Sequence, residues 1–154
     1  MDKDEEFLRI AIEEARKADW PFGAVIVKNG EIIAQAGSGD GKDISIDPTA
    51  HAETNAIRRA SEKLQSGDLS GVILYASCEP CAQCFGAAWY AGIREIVFGS
   101  SIKDIEHIDQ AWGGDLAFPH DHIQETGIQM NGGILKNEVM QMYSSHPRVT
   151  KMTP

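Results

Sequence analysis

The N-terminal part of the chain carries apolar residues at the spacing of an amphipathic helix. Apolar side chains recur at helical intervals from Phe7 to Ala15, behind a run of acidic residues. Acidic side chains in a first turn stabilise a helix because they face the positive end of its dipole. The pattern predicts a helix over Asp4 to Lys17 that covers one face of a sheet.

Two short runs rich in valine and isoleucine follow this helix. They cover Phe22 to Val27 and Glu31 to Ala36, and Asn29 and Gly30 lie between them. Asn-Gly is the strongest short-range signal for a two-residue hairpin, so the two runs are predicted to be antiparallel strands. The next segment, Gly37 to Pro48, has no periodicity and is predicted to be a loop.

The middle of the chain alternates between helical and strand patterns. In order, it predicts a helix over Thr49 to Leu64 that starts directly after Pro48, a strand over Val72 to Ala76, a helix from Pro80 to about Ala91, and a strand over Glu95 to Gly99. A strand, a helix and a strand in this order predict a right-handed crossover between neighbouring parallel strands. Catalytic groups are then expected at the strand ends where the helices begin.

The periodicity is weaker after Gly99. The expected elements are helical character near Ile102 to Trp112, a short helix over Pro119 to Thr126, a fifth strand over Ile128 to Met130, and a last helix over Ile134 to Tyr143. No internal repeat, linker or low-complexity segment interrupts the sequence. Its length suits a single domain over residues 1–154.

The charge balance restricts the expected partners. Fourteen Lys and Arg residues oppose 23 Asp and Glu residues, which gives a formal net charge of −9. A field of this sign repels a phosphate backbone, so it argues against nucleic acid and anionic membranes. The acidic start does not fit a signal peptide and no apolar run is long enough to cross a membrane, so a cytoplasmic protein is expected.

Three cysteines, Cys78, Cys81 and Cys84, fall within one short stretch. An odd and crowded set of this kind fits poorly with a disulfide framework and favours metal binding or thiol chemistry. Cys81 and Cys84 are three positions apart, which puts both thiols on one face of the first turn of a predicted helix.

A second pair of polar residues, His51 and Glu53, opens the preceding helix. Residues two apart point in different directions on a helix, so these side chains can share a target only beyond its end. One imidazole and the two thiolates of Cys81 and Cys84 suit tetrahedral Zn²⁺ with a fourth position open to water. Two helix N-termini aimed at one place would lower thiol pKa values, and Glu53 would be placed to carry protons.

Two other interpretations of these residues remain open. The histidine and the Cys-x-x-Cys pair could be a coincidence, or Cys78 could supply a fourth ligand and close a structural zinc site. Glu53 favours the open site, because a structural metal has no use for a carboxylate beside it. A His-x-Glu motif with Pro-Cys-x-x-Cys is the known signature of zinc deaminases.

The segments from Asp47 to Glu53 and from Ser77 to Ala87 resemble the cytidine and deoxycytidylate deaminase superfamily. Within it, the chain is most similar to the branch that holds guanine deaminases and bacterial tRNA adenosine deaminases. The likeness extends from Pro21 to Gly99. It implies a three-layer α/β/α sandwich with a five-stranded mixed sheet, a homodimer, and hydrolytic loss of ammonia from an amino-substituted ring.

The resemblance also implies roles for individual residues. His51, Cys81 and Cys84 would hold Zn²⁺, Glu53 would move protons, and the backbone amides of Ala52 and Cys81 would face the substrate.

Other residues are candidates for the pocket wall. Phe22 would form one side of it, or else be an ordinary buried strand residue. Trp89 and Tyr90 are expected in the pocket, in the dimer contact or, as their helical spacing favours, in the core.

The chain departs from the family pattern in the loop before His51. Family members that bind a free purine usually carry an Asn there, and no Asn occurs between Glu31 and His51. Ser38 or Asp40 could replace it. Asp109 and Asp115 are candidates for the acidic residue that guanine deaminases place after the fourth strand, although either could be a solvated loop charge.

Together these features predict a zinc-dependent deaminase of a small aminated heterocycle, with guanine as the expected substrate. A tRNA-specific adenosine deaminase is the first alternative, although the basic residues nearest to forming a patch, Arg58, Arg59 and Lys63, are interleaved with Glu62. A non-catalytic, zinc-stabilised interaction domain is the second.

Overall fold

The computed structural model describes residues 2–109 and 114–151, except for the side chain of residue 109. Within these ranges the elements are α1 (Lys3–Lys17), β1 (Trp20–Lys28), β2 (Glu31–Ser38), α2 (Ala52–Leu64), β3 (Val72–Cys78), α3 (Ala82–Tyr90), β4 (Glu95–Ser100), α4 (Glu106–Asp109), α5 (Ile123–Thr126), β5 (Gln129–Asn131), α6 (Lys136–Ser145) and α7 (Pro147–Thr150). Single 3-10 turns at Lys103–Ile105 and His120–His122 precede α4 and α5.

The strands form one mixed sheet in the order β2-β1-β3-β4-β5. β1 is antiparallel to β2 and β3, whereas β3, β4 and β5 are parallel neighbours. The hairpin turn is the predicted one, because Asn29 and Gly30 both have positive φ, at 52° and 80°, and Lys28 pairs with Glu31. The predicted five-stranded mixed sheet is confirmed.

Helices cover both faces of the sheet, which makes the predicted three-layer sandwich. Ala24 and Ile26 of β1 pack in a core cluster with α2 and α3, whereas Val25 and Val27 pack with α1. This alternation follows from the two-residue period of a strand. At Gly23, a Cβ atom would lie 2.0 Å from the Ala11 carbonyl oxygen, so a glycine is needed for α1 to pack this closely.

The helix before the first candidate ligand starts later than predicted. The sequence pattern predicts a start at Thr49, but α2 begins at Ala52. The Asp47 carboxylate accepts hydrogen bonds from the backbone N–H and the hydroxyl of Thr49, which stabilises a turn there instead. Likewise α3 begins at Ala82, two residues after the predicted start at Pro80. Both shifts leave a candidate metal ligand at the N-cap position of its helix.

The C-terminal part differs most from the prediction. The predicted helical range Ile102 to Trp112 is a 3-10 turn followed by α4, and its end lies outside the described residues. The last predicted helix is α6, shifted toward the C-terminus, and the sequence pattern missed α7. The His146 imidazole accepts a hydrogen bond from the Arg148 backbone N–H, and Pro147 occupies the first helical position, so a short helix forms.

None of the helices in the described part of the chain is long and apolar enough to span a bilayer.

Candidate active site

Three side chains meet where α2 and α3 begin. His51 is the N-cap residue of α2 and Cys81 the N-cap residue of α3, both with extended backbone. The sulfur atoms of Cys81 and Cys84 each lie 3.5 Å from His51 Nδ1. Among the described residues, these three form the one group of His, Cys, Asp or Glu side chains whose ligand atoms all lie within 4.8 Å of one another.

This spacing fits zinc. Zinc–sulfur bonds of about 2.3 Å and zinc–nitrogen bonds of about 2.0 Å at a tetrahedral angle separate sulfur and nitrogen by about 3.5 Å. The sulfur-to-nitrogen distances in the structure have this value. His51, Cys81 and Cys84 are therefore positioned to bind a metal ion, as the sequence pattern predicts.

The two thiols of the group have opposite ionisation tendencies. A hydrogen bond from Cys84 lowers the pKa of Cys81 to about 4, so Cys81 is a thiolate at neutral pH. Burial raises the pKa of Cys84 well above its ordinary value. The hydrogen bond with Cys81 raises the pKa of His51. Since a metal binds the thiolate and the neutral imidazole, metal binding here releases protons.

Glu53 lies in the first turn of α2, next to this group, and is only 5% exposed. Burial raises the pKa of its carboxyl to about 7, against the opposing effect of a hydrogen bond with Cys84. A carboxyl group with a pKa near neutrality can both accept and release a proton at physiological pH. Its position beside the ligand group is the one the sequence analysis predicted for it.

Cys78 does not belong to the ligand group. It is the last residue of β3, pairs with Ser100 of β4, and packs with α1 and α6 in the core. Burial raises the pKa of its thiol far above the ordinary value. The closed site with a fourth cysteine ligand therefore has no support in this geometry.

A hydrogen bond fixes the two ligand-bearing helices to each other. The side-chain amide of Gln83, in the first turn of α3, donates to the Thr49 carbonyl oxygen at 3.0 Å. The turn that contains Thr49 leads directly into His51. Sequence reasoning did not single out Gln83, because nothing in a local pattern shows that two distant helix starts are adjacent.

The ligand group opens into a cavity of about 750 Å³. His51, Glu53 and Cys81 contribute to its wall, and three of the predicted substrate contacts do so as well, namely Phe22, Ser38 and Asp115. The ring of Phe22 also makes an edge contact with Tyr143, so it serves both the core and the cavity.

Asp40 does not line this cavity. Its carboxylate accepts a hydrogen bond from the Gly37 N–H at 2.7 Å and lies 3.4 Å from the Arg59 guanidinium on α2. These contacts do not favour Asp40, one of the two candidates to replace the missing Asn, and its role stays a prediction. The side chain of Asp109 lies outside the described residues, so its predicted role stays a prediction. Ala52 is fully buried. The predicted contact of the Ala52 and Cys81 backbone amides with substrate also stays a prediction.

Several residues of the cavity wall were not predicted. Glu79 is buried, and its carboxylate accepts from the Ile102 N–H at 3.2 Å and lies 3.0 Å from His120 Nε2. It thereby ties the turn before α3 to the segments after β4. Trp20 and Arg148 also line the cavity, although they lie at opposite ends of the chain.

Trp89 and Tyr90 are not core residues. Trp89 is 41% and Tyr90 84% exposed, and neither lines the cavity. The Trp89 indole N–H donates to the Thr126 carbonyl oxygen. The core interpretation, which helical spacing favoured, is therefore wrong for these two residues, whereas their part in a dimer contact stays a prediction.

The sequence of this chain is similar to known deaminases, which agrees with a metal site formed by His51, Cys81 and Cys84. The model of the cytidine and deoxycytidylate deaminase zinc-binding region matches residues 1–100. Guanine deaminase of Bacillus subtilis is 46% identical over 106 residues, which are 68% of this chain and 64% of that protein. The tRNA-specific adenosine deaminase of Haemophilus influenzae is 34% identical over 149 residues, 92% of this chain and 82% of that protein.

Solved structures of deaminases have a fold similar to that of this chain. A structure from studies of tRNA:A34 deaminases has a TM-score of 0.72 and 31% identity, covering 89% of this chain and 98% of that one. A structure of the Bacillus subtilis guanine deaminase has a TM-score of 0.63 and 39% identity, covering 72% of this chain and 70% of that one.

The tRNA-specific deaminases among these relatives weaken the prediction that nucleic acid is an unlikely partner. The net charge argued against nucleic acid as a partner, but proteins named as tRNA-specific deaminases are among the relatives of this chain. Deaminases of free bases and of tRNA thus share its sequence features. The family model matches the first 100 residues, and His51, Cys81 and Cys84 are positioned to bind a metal ion, so the chain belongs to the cytidine and deoxycytidylate deaminase family.

Proposed function

We propose that this protein is a zinc-dependent hydrolase that removes the 2-amino group of guanine and releases ammonia. The observation that carries the chemistry is the buried Glu53 carboxylate beside the group of His51, Cys81 and Cys84, at the wall of an open cavity. The preference for guanine rests on the similarity to a guanine deaminase.

The proposed mechanism divides the work between metal and protein. His51, Cys81 and Cys84 would hold the zinc ion, which would supply Lewis acidity and lower the pKa of water at the site. Glu53 takes a proton from the water that adds to C2 of the base and passes it to a ring nitrogen. It then takes the remaining proton from the new C2 hydroxyl and delivers it to the amine. The C2–N bond breaks, and water and guanine give a C2 carbonyl and ammonia.

The cavity wall suits a flat heterocycle with polar edges. Phe22 offers an apolar face, while the Ser38 hydroxyl and the Asp115 carboxylate offer hydrogen-bonding groups. Asp115 is close enough to His51 for its charge to add to the rise in that residue's pKa, after the larger effect of the Cys81 hydrogen bond. We assign Asp115 the role of accepting from a ring N–H of guanine, with Asp109 as the alternative.

A tRNA adenosine deaminase is the second candidate, because relatives with that name align over most of the chain. The basic residues on α2 give it little support. The Arg58 guanidinium donates to Asn55 and Thr49, and Arg59 donates to the Gln35 carbonyl oxygen and lies beside Asp40. Both guanidinium groups thus already have hydrogen-bond partners within the chain, which makes them less ready to bind phosphate.

An ammonia-release assay over several substrates tests the proposal. Purified zinc-loaded protein is given guanine, adenine, cytosine, a pterin, a triazine and a tRNA anticodon stem-loop, with Glu53→Gln as the inactive control. Guanine should have the highest kcat/KM. A higher kcat/KM for the stem-loop would replace the proposal with the second candidate, and light scattering in the same buffer tests the homodimer that the family resemblance implies.

A further inference from the structure

The short helix α7 brings a guanidinium to the wall of the active-site cavity. Arg148, the second residue of α7, lines the same cavity as His51 and Glu53. Among the described wall residues it is the one lysine or arginine, and the acidic residues Asp43 and Asp115 share the wall with it. The fold therefore places a fork of N–H donors in an otherwise acidic pocket.

The position of this guanidinium is held from two sides. Arg148 Cζ lies 4.6 Å from the centre of the Trp20 ring, a cation–π distance, and its Nε donates to the Asp19 carbonyl oxygen at 3.1 Å. Both partners belong to the start of β1 and the residue before it. The two contacts together restrain the guanidinium beside the cavity wall.

The backbone beneath Arg148 is held as well. His146 is 4% exposed, and its Nε2 lies 2.9 Å from the Ala18 carbonyl oxygen while its Nδ1 accepts from the Arg148 N–H at 3.1 Å. The next residue, Val149, is buried. His146 is thus a positioning residue that links α7 to the end of α1.

The terminal nitrogens of Arg148 are available to a ligand. Within the described residues its side chain makes a hydrogen bond through Nε, and none is formed by Nη1 or Nη2. The nearby Asp43 carboxylate is already held by the backbone and hydroxyl of Ser45, which are the main cause of its lowered pKa; attraction to Arg148 adds a smaller part.

We propose that Arg148 selects guanine by donating paired hydrogen bonds to O6 and N7 of the base. This inference rests on the proposed function, in which C2 of guanine faces Glu53. The edge of the base away from C2 then presents O6 and N7, two adjacent acceptors that match a guanidinium fork. Adenine and 2,6-diaminopurine carry an amino group at C6 and would place a donor against this fork.

The proposal also accounts for the missing loop amide. No Asn occurs between Glu31 and His51, and Asp40, one candidate replacement, is turned toward Arg59. Arg148 supplies N–H donors from the opposite end of the chain. Lysine could supply the charge there but not the fork, because an ammonium group cannot present two parallel N–H bonds in a plane.

The test compares guanine with 2-aminopurine, which keeps the 2-amino group and N7 but lacks O6. We measure kcat/KM for guanine and the inhibition constant of 2-aminopurine in the zinc-loaded wild type and in Arg148→Lys and Arg148→Gln. Arg16→Lys is the matched control, since Arg16 is an exposed α1 residue paired with Glu13. Zinc content and the melting temperature show that each variant is folded.

Both Arg148 variants should lower kcat/KM for guanine by about 10-fold to 100-fold, the usual range for a lost bidentate contact to guanine. The inhibition constant of 2-aminopurine should change by less than about 3-fold, since it gives the fork only one acceptor. Equal losses for both bases, or unchanged guanine turnover, would overturn the role of Arg148. Absence of guanine turnover in the wild type would instead overturn the proposed function, and this inference with it.

Discussion

His51 and Cys81 occupy equivalent positions on two different helices, and their side chains lie 3.5 Å apart. Each is an N-cap residue with extended backbone, and neither uses its side chain to cap its own helix. Serine, threonine or aspartate at such a position would normally satisfy a backbone N–H of the first turn. Here both side chains point instead to a shared metal site, where the positive ends of two helices meet.

The zinc content of Cys-to-Ser variants should distinguish Cys78 from the two ligand cysteines. Cys81→Ser and Cys84→Ser should lose the metal, because each removes one of three ligands. Cys78→Ser should keep one zinc per chain, because Cys78 packs in the core outside the ligand group. Metal analysis of the purified variants measures this, and loss of zinc from Cys78→Ser equal to that from Cys81→Ser would restore the closed structural site.

Glu53→Gln should retain both zinc and fold while turnover falls by about 10²-fold to 10⁴-fold. The amide has nearly the shape of the carboxyl group but cannot accept the proton. Steady-state ammonia release together with metal content checks the prediction. Glu106→Gln is a suitable control, because Glu106 is an exposed acidic residue on α4. A Glu53→Gln variant with most of its activity would remove Glu53 from the mechanism.

Two glycine-to-alanine substitutions should differ in their effect on the free energy of unfolding. In Gly23→Ala the new Cβ would lie 2.0 Å from the Ala11 carbonyl oxygen and 2.5 Å from the Ala15 nitrogen, and backbone atoms cannot move aside cheaply. A loss of about 3 kcal/mol or more in the free energy of unfolding is expected. Gly86→Ala meets no atom within 4 Å in α3 and should be neutral or stabilising by up to about 1 kcal/mol.

Urea denaturation of the zinc-loaded proteins measures both changes. Equal stability of Gly23→Ala and the wild type would mean that α1 does not pack against β1 as closely as described.

Binding to RNA should depend weakly on salt. Each phosphate neutralised on a single strand steepens the fall of log K with log salt by about 0.7. The net charge of −9 repels phosphates, so few such contacts are expected. Titration of an anticodon stem-loop at several salt concentrations gives the slope. A slope that corresponds to several phosphates would favour the tRNA substrate over the free base.

Local patterns predicted much of this protein because they depend on neighbours in the chain. Asn29 and Gly30 form the two-residue turn that their conformational preferences indicate, and the strand that contains Val25 buries alternate residues on opposite faces. The metal site was predicted from the Cys81 and Cys84 pair, whose thiols share a helix face, together with His51 and Glu53 at the start of the preceding helix.

The sequence alone thus predicted the five strands, the larger helices, the order in which they occur and the chemistry of the ligand group, but it missed α7. Tertiary structure decided which side chains share the cavity with that group. Arg148 stacks on Trp20 although 128 positions separate them, and Asp40 turns to Arg59 instead of the cavity. No local periodicity sets these directions, because they follow from which distant segments pack together and which hydrogen-bond partners that packing leaves within reach.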